Sequence, residues 1–212
     1  MINQIPAYTA PVAFVSRLRM QTDGKGITTL IGFYGCPLRC KYCINSFSYA
    51  DDTRRVVYSP QKLYEKVRID ELYFLATGGG VTFGGGEPLL YPDFINEFCR
   101  ICGDSWNICI ETSLAVPWEN IEKTIDSVNT YLIDIKDISP DIYKKYTGKD
   151  NNLMLSNIKK LSSLISPDRI IARIPLIPEF NNDNDREKTK EFLSELGLTQ
   201  FDLFDYITEQ PQ

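Results

Sequence analysis

The sequence predicts an α/β fold, an open partial (β/α)6 barrel of TIM-like kind, and three observations predict it. From Thr28 onward, β-branched and aromatic runs alternate with segments of helical periodicity, the pattern of a parallel sheet with right-handed crossovers. Six such strands can be counted, too few for a closed eight-stranded barrel. Polar residues and glycines gather just after the strands, where barrel enzymes place their sites. At 212 residues and 43% hydrophobic composition, the chain is long enough for one domain with a sizeable core and short for two.

Residues 1–21 read as an N-terminal arm, with one strand around Val12 to Leu18 where apolar and polar residues partly alternate. Residues 22–207 read as the barrel core. Thr22-Asp23-Gly24-Lys25-Gly26 is a turn cluster, and Thr28 to Tyr34 is a buried first strand. Ser59 and Pro60 fit the N-cap and first position of a helix running through Val67. Gly78-Gly79-Gly80 breaks the chain, and Val81 to Phe83 is a short strand leading into Gly84-Gly85-Gly86-Glu87-Pro88. Tyr91 to Cys102 is helical, with Phe94, Ile95, Phe98, Cys99 and Cys102 on one face. Strands follow at Asn107 to Glu111, Tyr131 to Ile135, Arg169 to Ile177 and Phe201 to Tyr206. Helices are expected over Trp118 to Val128, Ser139 to Tyr146, Leu153 to Leu164 and Asp185 to Leu196. The polar run Asn181 to Arg186 reads as a solvated loop or helix start.

Charge narrows the class of partner. Lys and Arg total 23 against 28 Asp and Glu, a formal charge of -5, so a basic phosphate-tracking surface, and with it nucleic acid, is not expected. No apolar run reaches membrane-spanning length, and the N-terminus lacks a basic segment followed by an apolar core. A cytoplasmic, monomeric protein is expected. Six cysteines in a chain of this size suit a reducing, oxygen-poor cytosol better than a disulfide framework.

Three of those cysteines, Cys36, Cys40 and Cys43, stand at C-x3-C-x2-C spacing just after the first strand. Clustered thiolates hold iron or zinc, or form a redox site. A structural zinc site wants four protein ligands, yet the chain has no histidine, and Cys99, Cys102 and Cys109 do not form a second half-site. A four-iron, four-sulfur cluster on three thiolates would instead leave one iron open to an exogenous ligand. Cys99, Cys102 and Cys109 are expected to pack in the core.

This spacing, with Tyr42 before the last cysteine, resembles the radical S-adenosylmethionine (SAM) superfamily. The ordered set GVTFGGGEPLL, IETS (Ile110 to Ser113), YLIDIKD (Tyr131 to Asp137) and ARIPLIP (Ala172 to Pro178), with TDGKGI (Thr22 to Ile27), is similar to the glycyl-radical-enzyme activases of the pyruvate formate-lyase activating enzyme family. The likeness runs from about Thr22 to Tyr206, and the fold it implies is the same open barrel, of the radical SAM type.

The resemblance implies that Cys36, Cys40 and Cys43 ligate a [4Fe-4S] cluster, and that SAM chelates its open iron. Tyr42 would help seat the adenine, Gly85, Gly86 and Glu87 would meet the SAM amino group, and Asn45 would add a polar contact. Lys136 would face the SAM carboxylate, while Arg173 and Pro175 would lie where the fifth strand passes the ribose and adenine. Glu111, Thr112, Asp134 and the Leu132 carbonyl look like ligands for a monovalent cation, sodium or potassium. The chain departs from the family at Ile44 and Ile207, where histidine is frequent, at Thr28 in place of a common arginine, and at Glu111 in place of aspartate.

The implied activity is reductive cleavage of SAM, fed by flavodoxin or a ferredoxin-type donor, to a 5'-deoxyadenosyl radical that takes a hydrogen atom from a glycine of a partner glycyl radical enzyme. The alternatives are a radical SAM enzyme modifying another peptide or small molecule, and a metal-stabilised binding module without catalysis.

Overall fold

A computed structural model describes residues 8–20, 22–49 and 55–206. The expected Ile207 and the first residues of the arm lie outside them. Eight strands, β1 (Ala10–Met20), β2 (Ile27–Phe33), β3 (Val56–Tyr58), β4 (Gly80–Gly85), β5 (Asn107–Thr112), β6 (Thr130–Asp134), β7 (Ile170–Leu176) and β8 (Phe201–Asp205), form one sheet among the described residues. Its order is β3-β1-β2-β4-β5-β6-β7-β8. The six strands from β2 to β8 in that order are parallel neighbours, and among the described residues no ladder joins β8 back to β3, so the sheet is open as expected.

β2 is buried along almost its whole length, as a parallel strand covered on both faces must be. Stacked and edge-on aromatics fill the space beneath helices α1 (Pro60–Val67) and α3 (Pro92–Cys102): Phe33 stacks on Phe83 at 5.6 Å, Phe83 meets Phe98 edge-on at 5.2 Å, and Tyr64 stacks on Trp106 at 5.2 Å. Cys99 and Cys102 pack against this core, and Cys109 is buried in β5.

Local chemistry sets the boundaries. The Ser59 hydroxyl accepts from the Lys62 amide at 3.3 Å, with Pro60 opening α1. Gly78 and Gly148, at φ 67° and 77°, end α2 (Glu71–Thr77) and α5 (Pro140–Thr147) in the left-handed conformation. Asn182 and Asp185 form a reciprocal capping box, so the polar run is the start of α7 (Asp183–Glu195). α6 (Asn152–Leu164) contributes Met154, Ile158 and Leu161 to the core.

Two points need correction. The helix from Trp118 stops at Glu122 as α4 instead of reaching Val128, because the Thr124 hydroxyl turns back to the Ile121 carbonyl (2.8 Å) and contacts the Tyr131 hydroxyl (2.8 Å), favouring tight turns. β3 and α2 were not anticipated. β3 has three residues, and α2 buries only Phe74 while Leu72, Tyr73 and Leu75 face outward, so neither carries a usable periodicity. The strand expected in the arm around Val12 to Leu18 is present as β1, which runs antiparallel to β2 for much of its length, with an irregularity between Ser16 and Arg19 where Leu18 takes φ 55°.

Candidate active site

The C-terminal ends of the parallel strands and the inner face of β1 surround a cavity of about 680 Å3. It is the place a barrel topology reserves for chemistry.

The cysteine loop hangs from the end of β2 and is fastened at several points. The Gly35 amide donates to the Ser48 carbonyl (3.0 Å), the Arg39 amide to the Thr147 carbonyl (2.8 Å) and the Lys41 amide to the Tyr146 carbonyl (3.1 Å). The Arg39 guanidinium donates to the Cys36 and Leu38 carbonyls at 2.6 and 2.8 Å, and Leu38 is buried beneath the loop. Cys36, Cys40 and Cys43 are free thiols, half-buried, and all line the cavity. Burial and then the nearby Glu87 carboxylate push the Cys36 thiol up to about 12. Burial also raises Cys40, against the pull of Lys136. Such a neighbourhood opposes free thiolates and suits thiols that a metal centre would ionise.

The glycine turn after β4 is pressed onto the start of this loop. The Gly86 amide donates to the Phe33 carbonyl (3.0 Å) and the Glu87 amide to the Gly35 carbonyl (2.7 Å). A Cβ on Gly86 would stand 2.1 Å from the Gly35 carbonyl oxygen, and one on Gly85, at φ 82°, would stand 2.6 Å from the Gly32 Cα. Only glycine allows this approach. The Glu87 side chain, buried, accepts from Thr112 Oγ1 (2.7 Å), Ser113 N (3.0 Å), Ser113 Oγ (2.7 Å) and Leu89 N (3.2 Å). Burial still leaves it raised above the usual carboxylate range. With its oxygens so occupied, what this turn offers a ligand is chiefly glycine backbone. Asn45 Nδ2 reaches the Gly85 carbonyl at 3.0 Å.

Opposite the cysteines runs a chain of charges. Arg173 on β7 donates to Glu111 on β5 at 3.0 Å and lies 3.8 Å from Asp134 on β6 and 3.3 Å from Asp202 on β8. Lys136 contacts Asp134 at 3.1 Å and donates to the Tyr206 hydroxyl at 2.9 Å. Burial works against the Lys136 charge, but Asp134 and Tyr206 hold its ammonium well above the usual range. The same burial opposes ionisation of Asp134, which Lys136 and Arg173 outweigh. Glu111 goes the other way: burial pushes it up to about 7, although Arg173 pulls down.

One cavity thus collects Cys36, Cys40, Cys43, Tyr42, Asn45, Gly85, Gly86, Glu87, Glu111, Thr112, Asp134, Lys136 and Arg173. Leu132 and Pro175 are outside its lining, buried in β6 and β7, and the Pro175 carbonyl accepts from Asn181 Nδ2 at 3.1 Å. The Thr112 hydroxyl donates to Glu87 and accepts from the Leu114 amide. Sequence reasoning missed Arg19, Asp23, Tyr49, Tyr146 and Phe204, which also line the cavity. Arg19 pairs with Asp23, and Thr82 donates to the Asp23 carbonyl, tying β1 and its turn to β4. The alternation of Phe14 and Ser16 on β1 was the available signal, but only pairing with β2 tells which face turns inward.

Comparison with known proteins gives the family. The Radical SAM superfamily profile matches residues 30–193. The chain is 31% identical to the pyruvate formate-lyase-activating enzyme of Staphylococcus aureus, over 87% of this chain and 76% of that one. It is 29% identical to the (2S)-3-sulfopropanediol dehydratase activating enzyme of Klebsiella oxytoca, over 82% and 74% of the two chains. The fold is similar to that of Streptococcus suis SuiB bound to S-adenosylmethionine, with a TM-score of 0.64 and 17% identity over 84% of this chain and 39% of that one. A matching family over most of the length, an open parallel sheet, and three cysteines facing a cavity at the strand ends lead to one conclusion: the chain belongs to the radical SAM superfamily and is similar to its glycyl-radical-enzyme activating enzymes.

Proposed function

We propose that this chain is an activase that makes a glycine-centred radical in a partner enzyme. The observation that carries the reading is the facing arrangement of three fastened thiols, a glycine turn without room for side chains, and a buried, charged Lys136 around one cavity. These residues fit a [4Fe-4S] cluster with SAM: the thiols are free and half-buried, and the backbone beside them is open to close approach. When bound, that pair supplies the chemistry, one electron breaking the C5'–S bond to give methionine and a 5'-deoxyadenosyl radical able to take hydrogen from a glycine Cα.

The chain's own residues orient and exclude. Cys36, Cys40 and Cys43 hold the cluster, and the Gly85 and Gly86 backbone receives the amino group, with Asn45 steadying the Gly85 carbonyl. Lys136, kept charged by Asp134, pairs with the carboxylate as a compact ammonium. Tyr42, in edge contact with Phe180 at 5.7 Å, walls the side assigned to adenine. Arg173 neutralises Glu111 and Asp134 at the ribose side, where sodium or potassium would complete the charge balance. The gap beside β8 admits a partner's glycine loop, and flavodoxin or a ferredoxin-type protein is the electron donor.

The experiment is anaerobic reconstitution, EPR of the dithionite-reduced protein with and without SAM, and assay of 5'-deoxyadenosine. A signal that changes with SAM, product formation, and a glycyl doublet on an added partner are expected, all lost in Cys36→Ala, Cys40→Ala and Cys43→Ala. Product without a glycyl doublet on any partner favours a peptide or small-molecule substrate. Zinc without iron overturns the enzyme.

A further inference from the structure

The outer side of the cysteine loop carries a strip of positive charge. Arg39 and Lys41 flank Cys40 and are exposed, and the end of α5 packs directly behind them. The Arg39 amide donates to the Thr147 carbonyl at 2.8 Å, the Lys41 amide to the Tyr146 carbonyl at 3.1 Å, and a Cβ on Gly148 would lie 3.9 Å from Arg39 Cβ. α5 brings Lys144 and Lys145 in its last turn, and Lys149 follows its left-handed cap; all three are exposed. Lys145 Nζ lies 5.2 Å from the ring centroid of Phe180, which meets Tyr42 of the loop edge-on at 5.7 Å. None of these five cations lines the cavity into which the same loop turns its thiols.

Helix chemistry explains part of the strip. Lysines at a helix C-terminus complement its dipole, which suits Lys144 and Lys145. Arg39 is held by the Cys36 and Leu38 carbonyls, so its charge is fixed in place. Lys41 and Lys149 stand outside helices and make no ion pair among the described residues. The carboxylates beside the strip in chain or contact are fewer: Asp141 in the first turn of α5, Asp150, which accepts from the Asn152 amide (3.1 Å), and Glu179, which accepts from the Tyr42 hydroxyl (3.2 Å). A chain of formal charge -5 repels an acidic protein at long range, so a local run of cations is what lets such a protein dock.

Resting on the radical SAM reading of the three cysteines, we propose that this strip is the docking face for a small acidic one-electron carrier protein, brought up behind Cys40 while the mouth of the cavity stays free. A carrier of the flavodoxin class passes one electron there: its flavin hydroquinone anion becomes the neutral semiquinone, the cluster gains the electron, and no proton moves. Encounters of this kind use small interfaces steered by charge. The strip thus serves reduction, and the cavity serves SAM and the substrate.

The test compares anaerobically reconstituted wild type, the triple variant Lys144→Glu, Lys145→Glu, Lys149→Glu, and a charge-matched control, Lys25→Glu, Lys66→Glu, Lys188→Glu, at exposed sites elsewhere. Iron and sulfide content come first; a wild type that assembles no iron–sulfur cluster overturns the enzyme reading itself. The probe is an acidic flavodoxin, oxidised for affinity by calorimetry and as hydroquinone for cluster reduction by stopped-flow absorbance. At low salt the strip variant should bind more weakly than wild type and control and be reduced about tenfold or more slowly, while dithionite reduces all three alike. The wild-type rate with flavodoxin should fall as ionic strength rises. Equal flavodoxin rates in strip variant and control, a wild-type rate indifferent to salt, or a wild type that dithionite reduces and flavodoxin does not, each overturns the proposal. If the triple variant holds less iron, Lys149→Glu alone, outside α5, takes its place against Lys188→Glu under the same criteria.

Discussion

Asp70 and Lys136 are both buried charges, and their partners decide what each does. Arg17 donates to the Asp70 carboxylate at 2.5, 2.9 and 3.1 Å, and the Thr29 hydroxyl donates at 2.9 Å. The Arg17 bonds first, then Thr29, hold Asp70 below its ordinary 3.8 despite burial. A carboxylate with a depressed folded pKa stabilises fully above the unfolded pKa and loses that contribution as pH falls through the folded value. Asp70→Asn should therefore cost about 2 kcal/mol at neutral pH, the scale of hydrogen bonds to a charged group with a half-exposed partner, and should flatten the acid limb of the stability curve below about pH 4. Urea unfolding at a series of pH values checks both, and parallel acid limbs for variant and wild type would refute the assignment. Lys136→Met should weaken SAM binding about tenfold or more, since one charge-assisted hydrogen bond is worth about 1.5–3 kcal/mol, read by calorimetry on cluster-loaded protein. Cys36, Cys40 and Cys43 were legible as a thiol cluster from residue type and spacing, whereas Lys136 was singled out only by the family resemblance. Arg19, Asp23 and Tyr49 were not, because each joins the cavity only through how β1 and the loop after Cys43 fold across the barrel mouth.

At the scale of elements, the glycine turn is the joint between β4 and the cysteine loop. Its two amide bonds to Phe33 and Gly35 make the positions of the cluster ligands depend on backbone contact across β2 and β4. Gly86→Ala puts a Cβ 2.1 Å from the Gly35 carbonyl, where neither backbone can yield cheaply. Overpacking of this kind costs about 1–3 kcal/mol, which for a chain of this length lowers Tm by about 2–12 °C. The sharper expectation is functional: the displaced Gly35 carries Cys36 with it, so Gly86→Ala should hold less iron after reconstitution than Gly103→Ala. Gly103 has nothing within 4 Å of its would-be Cβ, and its φ of 64° brings a backbone strain that Gly86 does not carry, so the control tests strain away from the cysteine loop without the clash. Equal iron in the two variants would show that the turn does not set the cysteine loop. The parallel strands were readable from β-branched runs between turn signals. β3 and α2 were not, because most of their side chains face solvent and leave no periodicity to read, and β3 is held by its pairing with β1.

Across the whole molecule, the open sheet divides into a rigid middle and a thin margin. β4 and β5 are paired on both sides and mostly buried, whereas among the described residues β8 pairs with β7 alone and all its residues are partly or fully exposed. Its hold on the barrel is local: Asp205 with Arg186 at 2.8 Å, Asp202 with Arg173 at 3.3 Å, and Tyr206 with Lys136 at 2.9 Å just past the strand. Two of those three contacts go to side chains assigned to SAM, so the ligand and the margin are coupled through Arg173 and Lys136. Amides of β8 should then exchange with solvent faster than those of β4 and β5 in the cluster-loaded protein, because an edge strand opens without breaking the core. Adding SAM should slow exchange in β8 selectively, as ordering Lys136 and Arg173 orders the Tyr206 and Asp202 contacts with them, while the middle strands stay near their already low rates. Hydrogen exchange resolved by peptide reads this directly. Protection spread evenly over all parallel strands would mean that SAM stabilises the barrel as one body, and that the gap beside β8 is not the side on which a partner's glycine loop is admitted.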